Sequence, residues 1–251
     1  MKRRNMIGLS ALVTGAAVSQ PLHGTSSFRQ DLSGKKLKIL VAGAHPDDPE
    51  TGCGGLMLRY AEAGHEVVAY YLTLGEAGIP GKSHEEAARI RTAELDQACS
   101  ILGARAVFGG QIDGATEVNK VRYGEVRQML DGEQPDVIFT HWPLDTHRDH
   151  RACSALIYDA WLVQGKKAAL YYYEVMTGTQ SQHFLPTDYC DITTVVEKKH
   201  AACFVHKSQK IEESYPNDHG RMERFRGMQH GCDYAEAYIH HEQSPRFWWP
   251  G

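Results

Sequence analysis

No C-x-x-C pair occurs among the six cysteines, which sit at positions 53, 99, 153, 190, 203 and 232. That spacing excludes a zinc ribbon and a thioredoxin-type redox motif. Several of the six fall at apolar positions of predicted helices, so buried free thiols are expected rather than disulfides. No long basic run follows the first few residues, and the net charge is −4. Without a basic face to meet phosphates, nucleic acid is not an expected partner. No Pro- or Ser-rich linker splits the chain, and no internal repeat is present. The apolar stretch from Met6 to Val18 is about 13 residues long, short of the ~20 that span a bilayer, so no stable membrane anchor is expected.

What is present is ordinary for a globule. The 251 residues are 42% apolar and 23% charged, enough for one sizeable core. The beginning differs from the rest. Lys2-Arg3-Arg4 is positive, Met6 to Val18 is apolar, and Ala17-Val18-Ser19 offers small side chains before Gln20. This is the three-part pattern of a secretory signal. The paired Arg3-Arg4 resembles a twin-arginine signal, with Lys2 where that pattern prefers Ser or Thr. Residues 1–19 are therefore expected to be an export signal, giving a periplasmic or secreted protein. Its removal lowers Lys plus Arg from 27 to 24 against 31 acids, a net charge near −7. Residues 20–36 read as a loose leader, and 37–251 as a single domain.

Within that domain, strand and helix patterns alternate. Lys38-Ile39-Leu40-Val41-Ala42-Gly43 is an apolar run ending at glycine, as a buried strand does. Residues 51–63 predict a helix stopped by Gly64. Residues 66–73 are β-branched and aromatic, a second strand. Residues 84–102 form a long amphipathic pattern stopped by Gly103. Further strands are expected at 104–108, 136–140, 169–175 and 192–196. Further helices are expected at 120–130 and 151–162, after 196 through Lys207, and across 222–240. The alternation implies an α/β fold, a Rossmann-like three-layer α/β/α sandwich with a mostly parallel sheet. Ligands bind beyond the carboxyl ends of such strands, which selects the loops 43–55, 73–82 and 141–150.

Two of these loops carry metal-binding chemistry. Ala44-His45-Pro46-Asp47-Asp48-Pro49-Glu50 follows the first strand. A tight turn can aim His45 and Asp48 at one point, and an imidazole nitrogen with a carboxylate oxygen suits zinc. Asp47 cannot point the same way as Asp48 at a regular backbone, which frees it for a second task. His141-Trp142-Pro143-Leu144-Asp145-Thr146-His147-Arg148-Asp149-His150 follows a later strand. Two histidines and a carboxylate with an open position form a common plan for hydrolytic zinc. Taken singly, the first stretch also reads as a turn with a capping Asp, and the second as a solvated loop. Their shared place on one sheet edge favours a joint metal site. Of the remaining histidines, His65, His240 and His241 read as solvated, while His206 fits either a buried contact or the site edge. Glu76 lies on a site-facing loop within reach of substrate.

The chain resembles the PIG-L/LmbE-like N-acetylglucosaminyl deacetylases, whose signature is A-H-P-D-D-x-E followed by a later H-x-D-H. Here these read Ala44 to Glu50, continuing to Gly52-Cys53-Gly54-Gly55, and His147-Arg148-Asp149-His150. Weaker matches are Arg91-x-x-Glu94 with Leu102-Gly103, Pro135-Asp136-Val137-Ile138, His206-Lys207-Ser208-Gln209 and Tyr234-Ala235-Glu236-Ala237. The resemblance spans roughly 37–240. It implies a zinc ion, or another divalent transition metal, on His45, Asp48 and His150. It makes Asp47 the general base on a metal-activated water and His147 a cationic electrophile. Asp149 would orient and charge His147, and Arg91, Asp113 and Asp145 would hold substrate; a surface pair with Glu94 is the alternative for Arg91. One branch of the family has a tyrosine where this chain has Asp145. The implied substrate is a small N-acetylated amino sugar or its conjugate. A zinc amidase for another acylated molecule and a non-catalytic sugar-binding protein are the alternatives. A homo-oligomer is compatible with the resemblance, and no residue decides it.

Overall fold

The computed structural model describes residues 35–246. The expected signal and nearly all of the expected leader lie outside the described residues. Five strands alternate with four helices: β1 (Lys38–Gly43), α1 (Asp48–Glu62), β2 (Glu66–Thr73), α2 (His84–Leu102), β3 (Ala104–Gln111), α3 (Lys120–Glu133), β4 (Val137–His141), α4 (Arg148–Val163) and β5 (Ala169–Tyr173). There follow β6 (Asp188–Asp191), α5 (Val196–Phe204), the short α6 (Ile211–Ser214), α7 (His219–His230) and β7 (Ala235–His240).

The seven strands form one sheet in the order β3-β2-β1-β4-β5-β7-β6. Pairings among β1 to β5 are parallel, and β7 runs antiparallel to both β5 and β6. Alternate residues of β1 face opposite layers, as a strand's period of two requires. Ile39 and Val41 join a core with Leu56 of α1 and Leu95 of α2. Leu40 and Ala42 join another with Leu130 of α3 and Leu156 of α4. The expected α/β/α layering and mostly parallel sheet are observed.

The chain winds outward from β1 to β3, then returns so that β4 lies on the other side of β1. That reversal opens a crevice between the carboxyl ends of β1 and β4, where such sheets bind ligands. Both histidine-rich stretches emerge there. Helix α1 approaches the sheet closely because glycine lines its inner face. A Cβ on Gly52 would stand 2.5 Å from the Tyr173 ring, and one on Gly55 would collide with Ile192.

The end of the chain departs from expectation. Residues 192–196 turn into α5, and the strand precedes them as β6. The single helix expected across 222–240 is two elements: α7 stops at Gly231, whose φ is 91°, and β7 follows. Ala235, Glu236 and Ala237 are common in helices, but β7 fills a slot between β5 and β6, so sheet pairing overrides local propensity. His240 is accordingly buried, and the solvated reading is corrected. His65 is also more than a solvated side chain, since its Nδ1 accepts a hydrogen bond from Leu37 N at 3.2 Å. All six cysteines are free, five of them buried, as expected. Among the described residues no helix is long and apolar enough to cross a membrane.

Candidate active site

Asp48 stands at the centre of the crevice as the first residue of α1. Its Oδ2 accepts hydrogen bonds from Ala44 N at 3.0 Å and His45 N at 2.8 Å. His45 Nδ1 lies 3.3 Å from Asp48 Oδ2, and His150 Nε2 lies 3.4 Å from Asp48 Oδ1. The far nitrogen of each ring meets another carboxylate. His45 Nε2 is 3.1 Å from Asp113 and 3.3 Å from Asp149, and His150 Nδ1 is 3.2 Å from Asp145. Each imidazole thus has one nitrogen held by an acid and the other turned toward Asp48. Carboxylates behind histidines fix their tautomer and orientation in this way at metal sites, so the donor set fits a divalent transition metal. Three overlapping groups, His45-His147-His150, Asp48-His141-His150 and His45-Asp113-Asp149, each bring their ligand atoms within 4.8 Å of one another.

The electrostatics agree with that geometry. Burial disfavours ionisation of Asp48, but His150, His141 and His45 outweigh it and hold the carboxyl well below its usual range. Burial likewise opposes charge on His45, yet hydrogen bonds that its ring donates to Asp113, Asp149 and Asp48 raise its pKa well above the ordinary value. The site is built to hold positive charge among acids.

Asp47 faces the same crevice without joining the cluster. Its φ of 115° is a conformation that residues with a side chain rarely adopt, and it turns the carboxylate away from that of Asp48. Two groups hold it. Asp47 N donates to Glu50 at 3.2 Å, and Arg91 donates to Asp47 Oδ2 at 2.8 Å and to the Pro46 carbonyl. Burial raises the Asp47 carboxyl to about 6, against the opposing pull of Arg91. Glu50, fully buried, also accepts from Tyr71 OH at 2.8 Å and lies 3.3 Å from His206 Nε2.

The remaining expected residues lie around this cluster, several with different partners. Asp149 does not reach His147 with its carboxylate. Its oxygens take His45, Gly114 N at 2.7 Å and Thr116 Oγ1 at 2.7 Å. His147 is the N-cap of α4, and its Nδ1 accepts from Asp149 N at 3.2 Å, which sends the Asp149 side chain the other way. Burial, with His150 and His45 nearby, lowers the His147 pKa, which disfavours the expected cation. Arg91, Asp113 and Asp145, expected to hold substrate, are engaged with Asp47, His45 and His150 respectively. Arg91 does not pair with Glu94, whose carboxylate binds Ser208 instead. Glu76 folds back onto Leu74 N.

Sequence reasoning gave no role to His141. It is fully buried, stacks flat on His150 with ring centroids 4.0 Å apart, and places Nε2 3.2 Å from Asp48. The density of histidines across 141–150 was its signal. Thr177, Gln180 and His219 also line the site, and no motif marked them. They arrive from chain segments after β5, where only folding brings them near. Together these residues enclose a cavity of about 340 Å3, within the range of small-molecule sites.

The PIG-L family model, described as GlcNAc-PI de-N-acetylase, matches residues 40–161, from β1 to the end of α4. A diacetylchitobiose deacetylase of Thermococcus kodakarensis is 29% identical over 194 residues, covering 70% of this chain and 71% of that protein. Other matches are shorter: the deacetylase YaiS of Escherichia coli is 44% identical over 54 residues, only 29% of its length. Among solved structures, the conserved protein TT1542 from Thermus thermophilus superposes with a TM-score of 0.72 at 28% identity, covering 85% of this chain and 98% of its own. The N,N′-diacetylchitobiose deacetylase from Pyrococcus horikoshii superposes at 0.74 and 24% identity, covering 86% and 90%, a likeness of fold. The chain thus carries a PIG-L family match across the whole β1-to-α4 unit and resembles these proteins in sequence and fold.

Proposed function

We propose that this protein is a zinc-dependent hydrolase that removes the acetyl group from an N-acetylated amino sugar or its conjugate. One observation carries the reading: His45 and His150 each turn one nitrogen to a supporting carboxylate and the other to Asp48, beside an acid, Asp47, outside that cluster. The names of the family and of the matched deacetylases support the substrate class. We also propose that residues 37–251 act as one domain and that the protein is exported, on the strength of the N-terminal pattern.

His45, Asp48 and His150 would hold the ion. When bound, zinc supplies a Lewis acid for the amide carbonyl and lowers the pKa of water to ~7. Asp47 Oδ1 or Oδ2 takes the proton of the attacking water, and its raised pKa makes it an effective base near neutrality. Arg91 keeps that carboxylate aimed into the crevice. His147 accepts a hydrogen bond on Nδ1, so its proton resides on Nε2. There it donates a hydrogen bond to the developing oxyanion, and the proton that Asp47 took from the water passes to the departing amine. Asp113, Asp145 and Asp149 steady the two liganding histidines.

The test is release of free amine from N,N′-diacetylchitobiose. A chelator abolishes it and added zinc restores it. Purified protein that retains zinc yet frees no amine from acetylated sugars sinks the reading.

A further inference from the structure

His219 is the one histidine of the cavity wall that no role above uses. It is 8% exposed, lines the cavity with His147 and His150, and comes from α7, beyond the stretch matched by the family model. Its Nδ1 is buried with no partner among the described residues. No described residue hydrogen-bonds its Nε2 either, and that is the ring nitrogen left to face the cavity. A buried N–H without a partner is rarer than a buried bare acceptor, so the proton belongs on Nε2. The imidazole is neutral, because burial, with the Lys199 ammonium near, pushes it down to about 4.

The wall around it is prebuilt. His219, Met222 and Arg226 share one face of α7, at helical spacings of three and four. Gly178 packs on Met222, and Glu174 pairs with Arg226 through two hydrogen bonds of 2.6 and 2.8 Å. The segment after β5 therefore runs along the face that presents His219. Val175, Thr177, Gln180, Gln209 and Ile211 complete that side of the cavity, and none carries a charge. The cavity's arginine, Arg91, is already engaged with Asp47, Gly75 and Pro46.

We propose that His219 is a substrate-binding residue whose Nε2 donates a hydrogen bond to a hydroxyl of an uncharged sugar ring seated beside the acetamide. This rests on the deacetylase reading and narrows it. The group next to the reacting amide is a neutral saccharide, and a phosphorylated group finds no free cation on this wall.

Steady-state amine release is measured with N,N′-diacetylchitobiose and with N-acetylglucosamine 1-phosphate on zinc-loaded wild type, His219→Phe and His219→Gln. Titration with the disaccharide and zinc content accompany each sample. His219→Phe is expected to raise KM for the disaccharide about three- to tenfold, the size of one hydrogen bond, with kcat and zinc content held. His219→Gln, which restores an N–H near the same place, recovers part of the loss. An unchanged KM in His219→Phe overturns the assignment, as does a fall in kcat alone. A lower KM for the phosphorylated sugar overturns the neutral-saccharide half. Wild type that binds the disaccharide without cleaving it, with binding weakened in His219→Phe, leaves His219 assigned and removes the deacetylase reading. Neither binding nor cleavage removes both.

Discussion

At the residue scale, the site divides its acids by what lies behind them. Asp48 is kept ionised by the histidines around it, whereas burial raises the Asp47 pKa to about 6. Two adjacent carboxylates therefore do different work because the φ of 115° at Asp47 separates their directions. Asp47→Asn should retain stoichiometric zinc and lose at least ~100-fold in kcat; near wild-type turnover would remove Asp47 as the base. The pH dependence has a definite sign. A base must be deprotonated, so the rate climbs as pH rises through the Asp47 pKa, about 6 without a metal and lower with a cation beside it. Arg91→Ala deletes a charge that pulls this pKa down, so the acidic limb of the kcat profile should move to higher pH. A limb that stays in place, or moves lower, contradicts the Arg91–Asp47 pairing. The supporting acids make a separate prediction. Asp145→Ala removes the carboxylate behind His150 Nδ1, leaving Gln180 at 3.4 Å, and should weaken zinc binding by ~10–100-fold, read by competition with a chromophoric chelator.

At the element scale, the first five strands and four helices were legible because each is written in one register. Ile39 to Gly43 is uniformly apolar and buried on both faces, and Gly64 and Gly103 mark helix ends without competition. The two histidine-rich motifs were legible for the same reason: each occupies a single loop after a strand. Partnerships were harder to read. That Asp149 serves His45 rather than His147 depends on His147 capping α4, a geometry of three consecutive residues that spacing alone leaves open. The C-terminal third was least legible, because β7 is a strand by virtue of its neighbours rather than its composition. The glycines of α1 show what a packing constraint looks like in sequence. Gly52→Ala should destabilise by ~1–3 kcal/mol through collision with Tyr173, measured by urea unfolding. Because Asp48 begins the same helix, zinc affinity should fall with it. A fully stable Gly52→Ala protein would mean that α1 can shift outward freely.

At the scale of the whole molecule, the late elements are joined to the early ones by buried charge. Lys199 of α5, fully buried, lies 2.8 Å from Glu223 of α7 and 2.8 Å from Glu236 of β7. Glu236 in turn accepts from Gly55 N and Leu56 N of α1, each at 2.8 Å. Glu223 also takes Tyr215 OH and His200. The cluster thus ties the wall that presents His219 to the helix that presents Asp48, and a fault in it should be felt in both. Burial opposes ionisation of Glu223, but Lys199 and His200 prevail and hold its carboxyl at about 2, against an ordinary 4.5. A carboxyl depressed on folding contributes stability that is complete above the unfolded value and lost as pH falls through the folded one. Wild type should therefore lose stability progressively below pH 4.5, beyond any loss from protonating His219 between its ordinary 6.5 and about 4. Glu223→Gln leaves the Lys199 ammonium short of a partner and should cost ~3–5 kcal/mol at pH 7. That difference should shrink as the medium approaches pH 3, where the wild-type carboxyl has lost much of its own advantage. Urea midpoints of the two proteins at pH 7, 5 and 3 give the comparison. Parallel losses at all three would show that Glu223 acts through packing and not through its charge.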